Sequence, residues 1–510
     1  MVQSLTDTYS YETMKTKGMY QIKKMKKVLK TIVGMALLGS AIVMSPNHVQ
    51  GQESVADQCN YTPVKGENPD YQTINCLLTE TAIAHDTPPE IVKAIAEKES
   101  GWKQFDENGD PLLSSDGGIG IMQLTNQSSF DQEKLKNNIA YNIDAGVEVL
   151  NDKFNRNDLP VINNGERSVI EHWYFAVMAY NGTKPVNSPV KKDSGERNHE
   201  AYQELVFNKI HNTLGYRLGV EEMKFDSGDF EYDPDSSKSI VFKKGHYHFL
   251  IPFTKSKHFY EQGQSIGAVT DMKVRERPST SSSQIAQLRV GEVAEVTGSH
   301  AYEEVEGKSN PFVFYPVTLN DGKKGYVASS YLRNKFKDVP RGHYSVQPIE
   351  DLYDMNLLKG KSEDVFGFGE GLSRVHTALF LLRAQNISTE NRPDPGFDDV
   401  NKDTKYYEEI AAIADEGIFV GDGKNRFNPN QTLTRKEMAV LLQRVYNFDD
   451  TSEDHPFTDV SEGIWYDEAV KRIYAADITK GVGDNKFAPD EVVTREQFAA
   501  FLTRSIDYRK

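Results

Sequence analysis

A chain of 510 residues is long enough for roughly three or four folding units. Only 38% of its residues are hydrophobic and its mean hydropathy is −0.58, which excludes a polytopic membrane protein while leaving too much apolar content for wholesale disorder. Its 59 basic and 75 acidic residues leave a net charge of −16, against a general nucleic-acid binder, and two cysteines exclude a disulfide scaffold or a cysteine-rich zinc site.

Residues 1–51 read as a secretory signal peptide. Lys23, Lys24, Lys26, Lys27 and Lys30 precede an uncharged apolar run, Thr31–Met44, and a polar exit, Ser45–Gln52. The run is shorter than the ~20 apolar residues of a membrane span, with an uncleaved anchor as the alternative; synthesis starting at Met19 or Met25 is also compatible. Export would leave no stable membrane association after cleavage. It would also carry Cys59 and Cys76 into an oxidising exterior, where a bridge closing their short loop is worth about 3 kcal/mol; two buried thiols are the other reading.

After an N-terminal segment, 52–69, residues 70–215 read mainly as helices. Thr87-Pro-Pro-Glu90 has the form of a capping box with proline at the first helical position, and Ser168-Val-Ile-Glu171 that of a second, opening the run His172–Tyr180 that Asn181-Gly182 would stop. Residues 216–262, acidic around Asp226–Asp235 and β-rich at Tyr247–Thr254, read as a linker or an extension. From 263 to 334 the period becomes two: Lys273–Pro278, Val293–Val296, Phe312–Pro316 and Gly325–Ala328 are short strands between turns, predicting a small all-β barrel.

The remainder repeats. Phe397-Asp-Asp-Val400 recurs as Phe457-Thr-Asp-Val460 and more loosely as Phe336-Lys-Asp-Val339. Thr434-Arg-Lys-Glu437 recurs at Thr494-Arg-Glu-Gln497 and, diverged, at Ser373-Arg-Val-His376. Three copies of one helix–loop–helix unit, 335–395, 396–455 and 456–510, are predicted to share a core.

Glu99 is the candidate catalytic acid. It follows Ile91 and Ile95 by eight and four residues, at the edge of the apolar face of its helix. Apolar surroundings destabilise the charged carboxylate and raise its pKa, and a retained proton is what general-acid cleavage of a glycosidic bond needs. A glutamate bonded to a neighbouring turn is the plain alternative. Two further segments add to it: Gly117-Gly-Ile-Gly-Ile-Met-Gln123, whose glycines permit close backbone approach to a ligand, and Ala179-Tyr-Asn-Gly182, with a hydroxyl and an amide at a helix end.

Taken in order, Glu99-Ser100, Gly120-Ile-Met-Gln123, Asn142-Ile143 with Gly146 and Leu150, and Ala179-Tyr-Asn-Gly182 resemble the lytic transglycosylases of lysozyme-like fold. The resemblance implies an α-rich (α+β) domain over 70–215 acting on peptidoglycan without metal or cofactor. Glu99 would be its single acid/base, with Ser100, Gly120, Met122, Gln123, Tyr180 and Asn181 holding acid and sugar. The acidic stretch Phe105–Pro111 departs from the pattern. Asp106, Asn108 and Asp110 alternate as in a calcium loop, but Pro111 stands where glycine is needed and no glutamate closes the loop, so calcium is rejected. A second acid at Asp106, Asp110 or Asp116 would instead make a hydrolytic muramidase. His172 receives no role.

Met272–Pro278 and Gly325–Leu332 resemble the outer strands of bacterial SH3-like domains, implying a barrel that binds wall peptide or glycan or serves as a spacer. The triple repeat resembles S-layer homology modules, all-α units implying a pyruvylated secondary wall polysaccharide as ligand. Arg374, Arg435 and Arg495 stand at helix N-termini, where backbone N–H groups already favour an anion. The first copy lacks the capping glutamate, and Trp465 corresponds to Lys405 and Tyr344, so the three sites are not equivalent. A non-catalytic surface-layer or wall-binding protein is the contrasting expectation.

Overall fold

The computed structural model describes residues 54–509 apart from 215, 217, 250, 363 and 364; the predicted signal segment lies outside the described residues. No helix among those described is long and apolar enough to cross a membrane.

The first core is built by helices α1 (Val55–Gln58), α2 (Tyr71–Ala84), α3 (Pro89–Ser100), α4 (Gln132–Asn137), α5 (Ile139–Phe154), α6 (Tyr174–Asn181) and α7 (Tyr202–Leu214). Cys59 and Cys76 are joined by a disulfide with Cα atoms 5.7 Å apart, tying the N-terminal segment to α2. The described residues between 216 and 253 belong to this core rather than spanning a gap. Met223, Phe230, Ile240, Tyr247 and Phe253 are buried in it, with Tyr247 stacked on Phe175 and Phe249.

Both capping boxes predicted here fail to form. Helix α3 starts from Pro88 with no side-chain cap, and the buried Glu90 carboxylate instead accepts from the Lys257 amide at 2.7 Å and the Ser256 hydroxyl at 2.8 Å. Glu171, in a 3-10 turn before α6, accepts from the amides of Gly219 and Thr254, both at 2.8 Å. These partners, more than 40 residues away in sequence, outbid the local turn because a buried carboxylate needs several donors.

A seven-stranded sheet follows, β1 (Ser265–Ala268), β2 (Met272–Arg275), β3 (Gln284–Leu288), β4 (Val293–Val296), β5 (Phe314–Leu319), β6 (Lys324–Ala328) and β7 (Leu332–Asn334), in the order β7-β1-β4-β5-β6-β2-β3. It packs against the helical domain through polar contacts. Gln72 donates to the carbonyls of Lys308 and Asn310 at 3.1 Å, and Tyr302 donates to Glu80 at 2.7 Å.

The repeats supply α8 (Val346–Asp354), α9 (Arg374–Gln385), α10 (Tyr407–Asp415), α11 (Arg435–Tyr446), α12 (Asp467–Ala475) and α13 (Arg495–Tyr508) around one shared core. In each copy an aspartate after the phenylalanine caps a distant loop: Asp338, Asp399 and Asp459 accept from the amides of Phe366, Phe427 and Phe487 at 2.7–2.8 Å. The units do not stack as an open row but close on themselves. Leu372 N–H donates to Val493, Val493 N–H to Leu433, and Leu433 N–H to Leu372, at 2.8–2.9 Å. Arg333 fixes this ring to the sheet through Glu350 at 2.7 Å and Asp354 at 2.6 Å.

Candidate functional site

Helix α3 ends at Gly101, whose left-handed backbone (φ +61°) closes the last turn and sets Glu99 and Ser100 at its exposed end. Glu99 is half-buried. Burial raises its carboxyl pKa; the Tyr202 hydroxyl, which donates to Oε1, and Lys98 work against that, and the charge of Asp116 adds to it. The net direction is up, so the proton is retained to higher pH than on an exposed glutamate. Tyr202 opens α7, and its own hydroxyl is pushed well above the usual range by burial and by the neighbouring Glu99.

Opposite lies the loop 119–124, held from beneath by two buried amides. Gln104 accepts from Ile121 N–H at 3.0 Å and donates to the Leu135 and Lys136 carbonyls. Asn142 on α5 accepts from Met122 N–H at 3.0 Å and donates to the Ile119 and Leu135 carbonyls. Gly120 has φ +69°, and a Cβ there would lie 2.5 Å from Gln104 Oε1 and 2.6 Å from Asn142 Nδ2, so glycine is required by both conformation and space. Gly146 on α5 likewise makes room for Met122, whose Cγ would stand 2.6 Å from an added Cβ. Ser100 Oγ donates to the Ile121 carbonyl at 2.8 Å, and Tyr180 to that of Met122 at 2.8 Å. Gln123, in the left-handed region at φ +48°, folds its amide back to the Gly120 carbonyl at 2.8 Å.

Glu99, Ser100, Gly120, Met122, Gln123 and Tyr180 are thus brought onto one loop–helix junction. Asn181 is exposed at the end of α6, its side-chain oxygen accepting from Asn187 at 3.0 Å. Buried Asn187 also accepts from the Tyr202 amide at 3.1 Å, coupling the end of α6 to the start of α7. Sequence reasoning passed over Tyr202, Asn187 and Gln104. No spacing marks them, because each reaches the site through the fold rather than through a local motif.

Of the three acids considered beside Glu99, Asp106 and Asp110 are exposed in one hairpin, Asp106 accepting from the Asn108 and Asp110 amides at 2.8 and 3.0 Å. Asp116 is exposed and held ionised first by the Ser114 hydroxyl at 2.5 Å. His172 is buried with Nδ1 3.0 Å from the Glu166 carbonyl oxygen, and burial lowers its pKa to about 4; it is a neutral packing residue. His199, Glu204 and Glu221 offer ligating atoms close together, but Arg197 already forks onto Glu204 at 2.8 and 3.0 Å.

The three repeat arginines are buried, 6%, 3% and 7% exposed for Arg374, Arg435 and Arg495. Each Nε donates across the ring to a carbonyl of the next unit, Phe427, Phe487 and Phe366 respectively, at 2.6–2.8 Å, and each guanidinium lies over that phenylalanine ring. Their outer nitrogens differ. Arg374 pairs with Glu437 at 3.4 Å and Arg495 donates to the Lys359 carbonyl at 2.8 Å. Arg435 Nη2, though buried, has no hydrogen-bond partner among the described residues.

Family models match three parts of the chain: a transglycosylase SLT domain over 77–203, a bacterial SH3 domain over 270–333, and S-layer homology domains over 396–439 and 456–499. Among curated relatives, an S-layer protein of Bacillus licheniformis is 29% identical over 171 residues, 33% of this chain and 19% of the relative. An endoglucanase of Bacillus sp. (strain KSM-635) is 28% identical over 174 residues, 33% and 18% of the two chains. An uncharacterised cell wall amidase of Bacillus anthracis is 28% identical over 177 residues, 34% and 32%. The matches span under a fifth of the first two relatives and under a third of the third.

Proposed function

We propose, for a chain that carries a transglycosylase SLT domain, a bacterial SH3 domain and S-layer homology domains in that order, that it is an exported, wall-anchored peptidoglycan lytic transglycosylase. The observation that carries this reading is the half-buried Glu99 with its raised pKa, held by Tyr202 next to Ser100, whose hydroxyl bonds the Ile121 carbonyl of the 119–124 loop. Protonated Glu99 would donate its proton to the glycosidic oxygen between N-acetylmuramic acid and N-acetylglucosamine, breaking the β-1,4 bond while the muramic acetamido group stabilises the oxocarbenium centre. The carboxylate left behind would take the proton of the C6 hydroxyl as O6 closes on C1. Acid is regenerated and no water is consumed.

Glu99→Gln keeps shape and removes the titratable proton, so solubilisation of purified sacculi should fall by at least a hundredfold. Mass spectrometry of wild-type products should give anhydro ends one water lighter than reducing ends. Reducing ends would instead support the hydrolytic reading. Its water-activating base would be Asp116, the acid whose charge reaches Glu99.

For anchoring, residues 335–395 would be a third S-layer homology module beside the two matched stretches; its aspartate cap and arginine crossing, repeated from the other copies, support this. Matches over about a third of this chain to both a surface-layer protein and an endoglucanase fit a portable wall-binding part. A carboxylate-bearing secondary wall polysaccharide, pyruvylated by resemblance, would enter where a guanidinium still has a donor to give. That favours the surroundings of Arg435, with Lys436 next to it over the Tyr466 ring and Trp465, 63% exposed, packed edge-on to that ring. Arg435→Ala should release most protein from purified walls, Arg374→Ala least, in a pelleting assay; equal loss from both would reject the ranking.

A further inference from the structure

The segment before α2 reaches the candidate site from behind. Helix α1 is a single turn that buries no side chain completely, too short to stand alone, and residues 62–65 beyond it are exposed. Val55 and Tyr61 are half-buried against the first core, and the Cys59–Cys76 disulfide joins this strap to α2. At its far end Asp70 caps α2, accepting from the Gln72 and Thr73 amides at 2.9 and 3.1 Å. Midway, the strap leans on the hairpin Phe105–Pro111. The backbones of Gly66 and Gly109 approach so closely that a Cβ on either would lie 3.0–3.1 Å from the other's carbonyl oxygen.

Asn68 brackets the main chain where that hairpin begins. Its Oδ1 accepts from Gln104 N–H at 2.7 Å and from Phe105 N–H at 3.0 Å, and its Nδ2 donates to the Phe105 carbonyl at 2.8 Å. Pro69 disfavours helical backbone at Asn68, so α2 does not extend back and withdraw the bracket. Gln104 lies outside every helix and strand, yet its buried side chain carries Ile121. Its main chain serves the same loop: the Gln104 carbonyl accepts from Leu112 N–H at 2.9 Å, and the Leu112 carbonyl from Gly120 N–H at 2.8 Å.

We propose that Asn68 is a positioning residue for the 119–124 loop, kept in place by the Cys59–Cys76 bridge. The proposal rests on the reading above in which that loop receives the glycan. Contacts run without a break from Asn68 through Gln104 to Ile121, whose carbonyl accepts from Ser100 beside Glu99. The Glu99 carboxyl is tuned by burial, Tyr202, Lys98 and Asp116, none of which lies on this path. Loss of the bracket should therefore loosen the loop and weaken substrate binding while leaving the titration of the acid in place.

The test compares the full chain with Asn68→Ala, Asn68→Asp and a Cys59→Ala/Cys76→Ala double variant. Hydrogen exchange without substrate, resolved to single residues by mass spectrometry, should show the Ile121 amide exchanging about tenfold faster in Asn68→Ala and in the double variant. The Ala94 amide, inside α3, should be unchanged. On soluble glycan strands KM should rise about tenfold, because a loosened loop must be ordered on binding, while kcat and the alkaline limb of the pH profile hold. Asn68→Asp keeps both acceptor contacts and loses the donor, so it should lie between wild type and Asn68→Ala. Unchanged exchange at Ile121 in Asn68→Ala, acceleration spread equally to Ala94, or a fall in kcat at fixed KM would each overturn the positioning role. A double variant indistinguishable from wild type would overturn the part given to the bridge. Because exchange is read without substrate, a wild-type chain that dissolves no sacculi would end the transglycosylase reading and leave the Asn68 result standing.

Discussion

At the scale of single residues, the candidate acid is defined as much by its donor as by its burial. Tyr202 donates to the Glu99 carboxylate, which stabilises the charged form and pulls the pKa down against desolvation. Tyr202→Phe removes that pull, so the pKa of Glu99 rises further. Since the first step needs the protonated acid, the alkaline limb of the pH–rate profile should move to higher pH. kcat should drop about tenfold as the carboxyl loses its orientation, and a full pH profile of sacculus solubilisation measures both. The residues of the site were unequally legible in the sequence. Glu99, Gln123 and Tyr180 stand in local motifs. Tyr202, Gln104 and Asn187 do not, being brought in by helices and turns whose placement depends on the whole core. Glu90 and Glu171 misled for a related reason: a Thr-x-x-Glu or Ser-x-x-Glu spacing is visible locally, whereas amides 48 to 167 residues away are not.

At the scale of elements, helix α3 has two occupied ends. Its C-terminal turn carries Glu99, and its first two turns carry Glu90 and Lys93, buried against the segment entering the seven-stranded sheet. Lys93 Nζ donates to the Pro311 carbonyl at 2.7 Å and faces His258 Nε2 at 3.2 Å, while His258 Nδ1 lies 3.0 Å from Glu90. Burial pushes Lys93 down to about 7, against the attraction of Glu90 and Glu80, and burial together with Lys93 pushes His258 down to about 4. Burial alone would raise Glu90, but His258 and the Lys257 amide bring it below the ordinary carboxylate range. Every shift has the same consequence. The folded state binds fewer protons than the unfolded chain, so stability declines as pH falls, from about 10.5 to 7 through Lys93, from about 6.5 to 4 through His258, and below about 4.5 through Glu90. The thermal midpoint should therefore rise between pH 5 and pH 9, and Lys93→Met should flatten the upper half of that rise in scanning calorimetry.

Across the whole molecule, the barrel and repeats were readable as separate periodicities, and their boundaries carried no sign of how they join. The period-two strands and the 60-residue recurrences mark units; ring closure depends on three mutual backbone hydrogen bonds among Leu372, Leu433 and Val493 that pattern alone does not pair. An open solenoid loses one terminal repeat and keeps the rest. A ring does not. A chain ending at residue 455 loses Val493, Arg495 and the Phe366 and Lys359 contacts they make or support. Its first two repeats should then show no cooperative unfolding transition and little protection in hydrogen exchange, whereas the full chain shows both.

The absence of slack between Phe253, whose amide donates to the Asp354 carbonyl at 3.2 Å, and the repeat ring sets how such a molecule could work. A tethered blade sweeps a hemisphere; one bolted to its mount reaches only the strands passing at a single height and heading. Were it moored through the Arg435 groove, each copy would score its own small patch of wall and then fall idle until growth carried fresh polymer past it.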